Sequence, residues 1–209
     1  MVFSDRAEAG EMLAKALEKY KGKDIIIYAL PRGGVVTAAQ VAKKLHTPLD
    51  ILITRKIGHP YNPEYALCAT SINGHLVCDE AELAQVDPIW FAEELKRQKI
   101  RAKEQYKLYS KNKKPLSAKD KIAIIVDDGV ATGLTMKAAI KEIKHQKPKK
   151  VIVAVPVLPK DVADELEAED IELAALEIPR VFAGSVGAYY DFFPQVTDEE
   201  VIKLLSPQT

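Results

Sequence analysis

The stretch "KIAIIVDDGVATGLTMKAAIKEIKHQ", residues 121–146, decides the fold. Residues 121–126 read as a strand, because after Lys121 they form a short continuous apolar run, the mark of a buried strand. Residues 135–146 read as a helix. Between them stand two adjacent acids, Asp127 and Asp128, and a loop of small residues holding Gly129, Ala131, Thr132, Gly133 and Thr135.

The same alternation recurs on both sides. "DIIIYAL" (24–30) reads as a strand, "GGVVTAAQVAKKLH" (33–46) as a helix and "LDILITRK" (49–56) as a strand. Further on, "KVIVAVPVL" (150–158), "KDVADELEAE" (160–169) and "IELAALEI" (171–178) read as strand, helix and strand. Strands alternating with helices predict an α/β fold with a mostly parallel central sheet flanked by helices.

Other segments decorate this frame. An N-terminal helix has Ala9, Met12, Leu13, Ala16, Leu17 and Tyr20 on one face, with Asp5 and Glu8 spaced as a capping box. "IGHPYNPEY" (57–65) reads as a loop, and residues 66–80 as two short strands around Asn73-Gly74. Residues 81–114 read as a helical insertion opened by Asp87-Pro88, with Phe91, Leu95, Ala102 and Tyr106 as its apolar stripe. Basic residues outnumber acidic ones nine to four over 87–114, which predicts a solvated helix lying on the core rather than a nucleic-acid surface. Residues 179–196 read as an aromatic-rich loop and 197–206 as a terminal helix with Thr197 and Glu200 in capping-box spacing.

A chain of 209 residues can bury a sizeable core as a single domain over 1–209. Thirty basic residues balance thirty acidic ones, so no global charge draws the chain to nucleic acid. No apolar run approaches the roughly 18 residues of a membrane span. Cys68 and Cys78 fit no metal spacing and are expected to be reduced thiols in a cytoplasmic protein.

The acid pair and its loop carry chemistry. In a parallel sheet, ligands bind where strands end at their carboxyl edge. A helix start offers free N–H groups and a positive dipole end, which suit a phosphate. The acids repel phosphate and suit sugar hydroxyls or a metal ion. A phosphate and a diol held a few atoms apart describe a ribose 5-phosphate. A Walker A loop is excluded, because Gly133 is followed by Leu134-Thr135 and not by Lys.

"IAIIVDDGVATGLTM" (122–136) resembles the phosphoribosyl-pyrophosphate (PRPP) motif of type I phosphoribosyltransferases. "ALPRGGVVTAAQVA" (29–42), "TRKIGHPYNPEYALCAT" (54–70) and "VGAYYDFFPQVTDEEV" (186–201) extend the resemblance to a bacterial subgroup of predicted phosphoribosyltransferases. The resemblance implies transfer of 5-phosphoribosyl from PRPP to a nitrogenous acceptor, with Mg²⁺ as cofactor and pyrophosphate released. Asp127 and Asp128 would bind the ribose hydroxyls and hold the metal, directly or through water. Gly129, Ala131, Thr132, Gly133, Leu134 and Thr135 would wrap the 5-phosphate. Pro31, Arg32, Gly33 and Gly34 would face the pyrophosphate, in a loop where a non-proline cis peptide is common. Residues 55–70 would form a flexible lid bearing the catalytic Arg55 and Lys56. Residues 179–196 would form a hood, with Tyr189 and Tyr190 over the acceptor. Alanine at 131 argues against hypoxanthine and guanine. Transferases of this fold are often homodimers. The competing reading is a PRPP- or nucleotide-sensing regulator on the same fold, with the basic helix as its effector surface.

Overall fold

The computed structural model describes residues 2–111 and 113–206 of the chain. Five strands, β1 (Ile25–Ala29), β2 (Leu49–Ile51), β6 (Ile122–Val126), β7 (Lys150–Val157) and β8 (Glu172–Glu177), form a parallel sheet in the order β2-β1-β6-β7-β8. The order reverses between β1 and β6. From β1 the chain crosses to β2 on one side, and from β6 it crosses to β7 and β8 on the other. The crevice at such a reversal is where open parallel sheets bind ligands.

Helices cover both faces of this sheet. α1 (Arg6–Ala16) and α2 (Gly33–Leu45) pack on one face, where Leu13, Val35, Val41, Ile27 and Ile124 share a core. α5 (Leu134–His145) and α6 (Lys160–Glu167) pack on the other through Met136, Ile140, Leu166, Ile125 and Val153. Burial on both faces explains why β1 and β6 read as unbroken apolar runs.

The N-terminal cap differs in one bond from its expectation. Asp5 accepts from the N–H groups of Ala7 and Glu8 at 2.8 and 2.9 Å, but Glu8 reaches back to the N–H of Ser4, not of Asp5. Ala16, expected on the apolar face, is exposed, whereas Leu17 and Tyr20 are buried. The capping box of α7 (Asp198–Leu205) forms as expected, with Thr197 and Glu200 exchanging side-chain and backbone bonds.

Three expectations need correction. "LDILITRK" is not one strand. It divides into β2 in the parallel sheet and β3 (Thr54–His59) in a second, antiparallel sheet. Residues 57–65, expected as a loop, continue β3 and turn into β4 (Asn62–Ser71), with β5 (Leu76–Cys78) completing a three-stranded sheet in the order β3-β4-β5. The expected lid is therefore a hairpin whose backbone bonds lie within its own sheet. Third, Cys68 and Cys78 are joined in a disulfide, not free thiols. They face each other across the β4–β5 register with Cα atoms 4.0 Å apart. The cysteine argument for a cytoplasmic location falls with this bond. Among the described residues, no helix is long and apolar enough to cross a membrane.

The insertion contains α3 (Glu80–Leu83) and α4 (Pro88–Ser110). α4 joins two cores. Phe91 and Leu95 pack with Ile57 and Leu67 of the hairpin sheet, whereas Ala102, Tyr106 and Tyr109 pack against the main core. Tyr109 donates its O–H to Asp198 at 2.6 Å, which ties α4 to α7.

Candidate active site

β1 and β6 end side by side, so the segments leaving them meet. Leu30 N–H extends their pairing by donating to the carbonyl of Val126 at 3.0 Å. The Pro31–Arg32 peptide that follows is cis. The chain then enters α2 at Gly33, directly against the acid pair. A Cβ on Gly33 would stand 1.9 Å from Asp128 Oδ2, and one on Gly34 would stand 2.7 Å from Asp127 Oδ1. Only glycine permits this approach.

These segments enclose a cavity of about 320 Å³. Pro31, Arg32 and Gly33 form one wall, and Asp127 and Asp128 form its floor. Gly129, Ala131, Thr132, Gly133 and Thr135 line the next side, while Thr54 and Lys56 reach in from the hairpin sheet. Val186 closes the hood side. Wider hollows of about 590 and 700 Å³ lie elsewhere, around Lys21, Asp24 and Lys121 and around Ala39, Lys43 and Leu204. Neither touches the acid pair or the glycine loops.

Two helices start at the cavity. α2 begins after Arg32 and α5 after Gly133, which takes φ +76° to turn the chain into the helix. Neither start carries a side-chain cap, as is also true of α6, whereas α1, α4 and α7 are capped by Asp5, Asp87 and Thr197. The leading N–H groups and dipole ends of both helices thus suit an anion.

The two acids have different surroundings. Asp127 is half-buried, and its Oδ1 accepts the N–H of Asp128 at 2.8 Å. Burial, and then the charge of Asp128, push its carboxyl well above the usual carboxylate range. Asp128 is paired with a residue that the sequence did not single out. Arg6 Nε donates to Asp128 Oδ2 at 2.6 Å. Tyr190 donates its O–H to the backbone carbonyl of Asp128 at 2.6 Å, and burial followed by the Asp128 charge raises that phenol well above its ordinary range.

Arg55 and Lys56 are not brought together. Successive residues of a strand point to opposite faces. Lys56 lines the cavity, whereas Arg55 donates to Gln98 and Gln105 of α4 at 3.1 and 3.4 Å. Arg55 instead lines an adjoining hollow of about 650 Å³ with Arg32, Arg101 and Asp198. Arg32 Nη1 lies 3.7 Å from Asp198 Oδ1 there, so Arg32 borders both spaces.

Tyr189 and Tyr190 are not free covers for a base. Each is 7% exposed and packs with Phe3 and Val157. The Tyr189 hydroxyl oxygen accepts from Ala183 N–H at 2.9 Å, and Tyr190 lies between Phe3 and Phe193 with its ring tilted against both. The rings build the hood's interior. Leu134, expected at the phosphate, is the first residue of α5 and does not line the cavity.

A family model of the phosphoribosyl transferase domain matches residues 5–192. A crystal structure of TT1426 from Thermus thermophilus is 40% identical and covers 98% of each chain, with a TM-score of 0.83. A purine phosphoribosyltransferase from Pyrococcus horikoshii is 18% identical over 94% of this chain and 97% of its own, with a TM-score of 0.50, a likeness of fold alone. A Mycobacterium tuberculosis protein named "Putative phosphoribosyl transferase" is 35% identical over 98% of this chain. The chain spans about half the length of the curated relatives it matches, 46%. With the matched domain running over residues 5–192 and its strand ends meeting at one switch point, the chain belongs to the phosphoribosyltransferase family.

Proposed function

We propose that the protein transfers the 5-phosphoribosyl group of PRPP to a nitrogenous acceptor. One observation carries this reading. A single cavity is lined by the glycine loop after β1, the acid pair, the small-residue loop before α5 and Lys56. It therefore offers anion sites on two sides of a pair of carboxylates, the arrangement a 5-phosphate, a diol and a pyrophosphate require.

In the reaction, the bond from ribose C1 to the pyrophosphate oxygen breaks and pyrophosphate leaves with the electron pair. A bond from C1 to the acceptor nitrogen forms, and that nitrogen loses its proton to water. Negative charge grows on the leaving group, where Arg32, Lys56 and the N–H groups that open α2 stabilise it. Positive charge grows on the ring, beside Asp127 and Asp128. The hood and the hairpin sheet exclude water from the electrophilic carbon.

Among the described residues, no three His, Cys, Asp or Glu side chains form a ready cage for a metal. The acid pair suits a Mg²⁺ that arrives with a polyphosphate, because this ion keeps several waters and needs only one or two carboxylates from protein. Asp127 and Asp128 would hold it, directly or through water. When bound, it would neutralise charge on the pyrophosphate.

A specific contact also supports a sensing role. Arg55, next to the cavity-lining Lys56 in β3, joins the hairpin sheet to the glutamines of the basic helix α4. Loss of turnover with retained PRPP binding in Lys56→Ala favours the enzyme. Retained signalling without any turnover in the unaltered protein favours the sensor.

Calorimetric titration with PRPP, with and without Mg²⁺, tests the main reading. Saturable, metal-enhanced binding is expected. The double variant Asp127→Asn with Asp128→Asn should weaken it by about 3 kcal/mol or more, since each charge-assisted hydrogen bond contributes roughly 1.5–3 kcal/mol. Unchanged affinity in that variant would refute the ribose assignment.

A further inference from the structure

Arg6 is 8% exposed, an unusual burial for an arginine at the first position of a helix. Each face of its side chain meets a different part of the site. Nε donates to Asp128 Oδ2 at 2.6 Å. Nη1 donates to the carbonyl of Pro194 at 2.8 Å, and the guanidinium carbon lies 3.6 Å above the centre of the Phe193 ring. A Cβ on Gly33 would come within 2.9 Å of Nε, so the glycine loop is packed against the same group.

The backbone around Arg6 repeats these links. Phe3 N–H donates to the Tyr189 carbonyl, and Asp191 N–H donates to the Phe3 carbonyl, both at 2.8 Å. Phe192 N–H donates to the Ser4 carbonyl at 3.0 Å. Residues 3–4 are therefore laced to the hood just before the chain turns into α1. Tyr190 completes the circuit by donating to the Asp128 carbonyl. The charged groups around this knot include Asp128 and Asp127 from the end of β6 and Asp5 beside Arg6, with Arg32 and Lys56 across the cavity.

We propose that Arg6 is a positioning residue that fixes the Asp128 carboxylate to the hood, so that the ribose-facing acid and the acceptor-side cover keep one relative position. The proposal rests on the PRPP reading above for its effect on ligand binding. Asp128 Oδ2 is taken by Arg6, which leaves Oδ1 to accept from a ligand hydroxyl. A planar guanidinium can bond a carboxylate in its plane and stack on a ring with its face, which the compact ammonium of lysine cannot do in the same way. A simple filler of the same space would need neither the aligned Nε nor the ring beneath it.

Two measurements on the full chain test this. The first is PRPP affinity of Arg6→Gln, Arg6→Lys, Asp128→Asn and the Arg6→Gln/Asp128→Asn pair. Arg6→Gln should lose roughly tenfold or more, the scale of one charge-assisted bond, and Arg6→Lys should recover part of the loss. In the Asp128→Asn background, Arg6→Gln should cost less than about twofold further, because both changes act through one carboxylate. A structural role alone would give losses that multiply. The second is hydrogen exchange of the ligand-free protein. Arg6→Gln should speed exchange over residues 127–133 and 186–194 together and leave 54–71 unchanged. Affinity within twofold of the unaltered protein, multiplying losses, or unchanged exchange in either segment would overturn the proposal. If the unaltered protein binds no PRPP, the functional reading fails, and joint or absent change in exchange still decides the role of Arg6.

Discussion

The two sheets supply opposite walls of one cavity, but they are built differently. β1 is buried at every position, and β6 at all but its first residue. β3 has a single buried residue, Ile57, and β4 is exposed over its first four residues and buried over its last five. The acids and both glycine loops hang from the strands with a full core on each face. Lys56 and Thr54 hang from a sheet whose buried cluster is Ile57, Leu67, Cys68 and Val86, with partly buried residues such as Trp90, Phe91 and Leu95 packed against it. Groups that must keep their spacing sit on the rigid frame, and groups that meet the leaving side of the ligand sit on the lighter one. Such a division suits closure, since the elements that move are drawn from the less stable parts of a fold.

The sharpest way to break this comparison is to empty each core in turn. Ile124→Ala should cost about 3–4 kcal/mol in denaturant unfolding, as deletions from a fully buried site do. Leu67→Ala should appear mainly as faster exchange over residues 54–78, with a smaller shift of the global midpoint. Equal midpoint shifts would mean that the two sheets unfold as one unit.

Gly33→Ala tests the rigid wall. The added methyl meets Asp128 Oδ2 and cannot be accommodated without moving the loop or the acid. A stability loss of about 1–3 kcal/mol is expected from the overpacking, with PRPP binding reduced more than tenfold. Near-normal binding would show that the loop can retreat from the acids.

The attachment of the light sheet to the frame can be loosened at Glu142. This acid of α5 is 3% exposed and accepts from Ser71 Oγ and Asn73 Nδ2, both at 2.6 Å. Glu142→Gln should cost about 1–2 kcal/mol and raise exchange at residues 71–78 before it raises exchange in β6. Simultaneous exchange in both would place the clamp in the main core.

The smallest effect concerns an edge of the parallel sheet. Burial alone would raise the carboxyl of Glu172, but hydrogen bonds from Lys150, Lys19 and Tyr20 hold it down at about 2. A carboxylate held low contributes stability that is present above its unfolded pKa, near 4.5, and is lost as pH falls towards about 2. The group is partly solvated, so about 1 kcal/mol is expected. Melting temperatures measured from pH 5 to pH 2 should fall less steeply in Glu172→Gln than in the unaltered protein.

The alternating pattern of apolar runs and helices was enough to give the parallel sheet, because strands buried on both faces leave an unmistakable signature in β1, β6 and β7. The acid pair and its loop were legible for a related reason. They are contiguous in the chain, and a strand end followed by small residues and a helix has few other uses. The hairpin sheet was partly misread. Pro60, Asn62 and Pro63 carry loop character, and the register that pairs β3 with β4 comes from contacts between strands, not from local preference.

What the sequence by itself determined is a set of local units: the strands of the parallel sheet, the helices between them, and the carboxylates that stand next to an anion loop. Only the tertiary structure decided how those units share their charges. It sent Lys56 and Arg55 to opposite sides of β3, packed Tyr189 and Tyr190 inward, and brought Arg6 to Asp128 across 122 positions. Periodicity reports which face of an element is buried. It carries no information on which distant partner arrives there, because that is set by the order of strands and the volume left between packed layers.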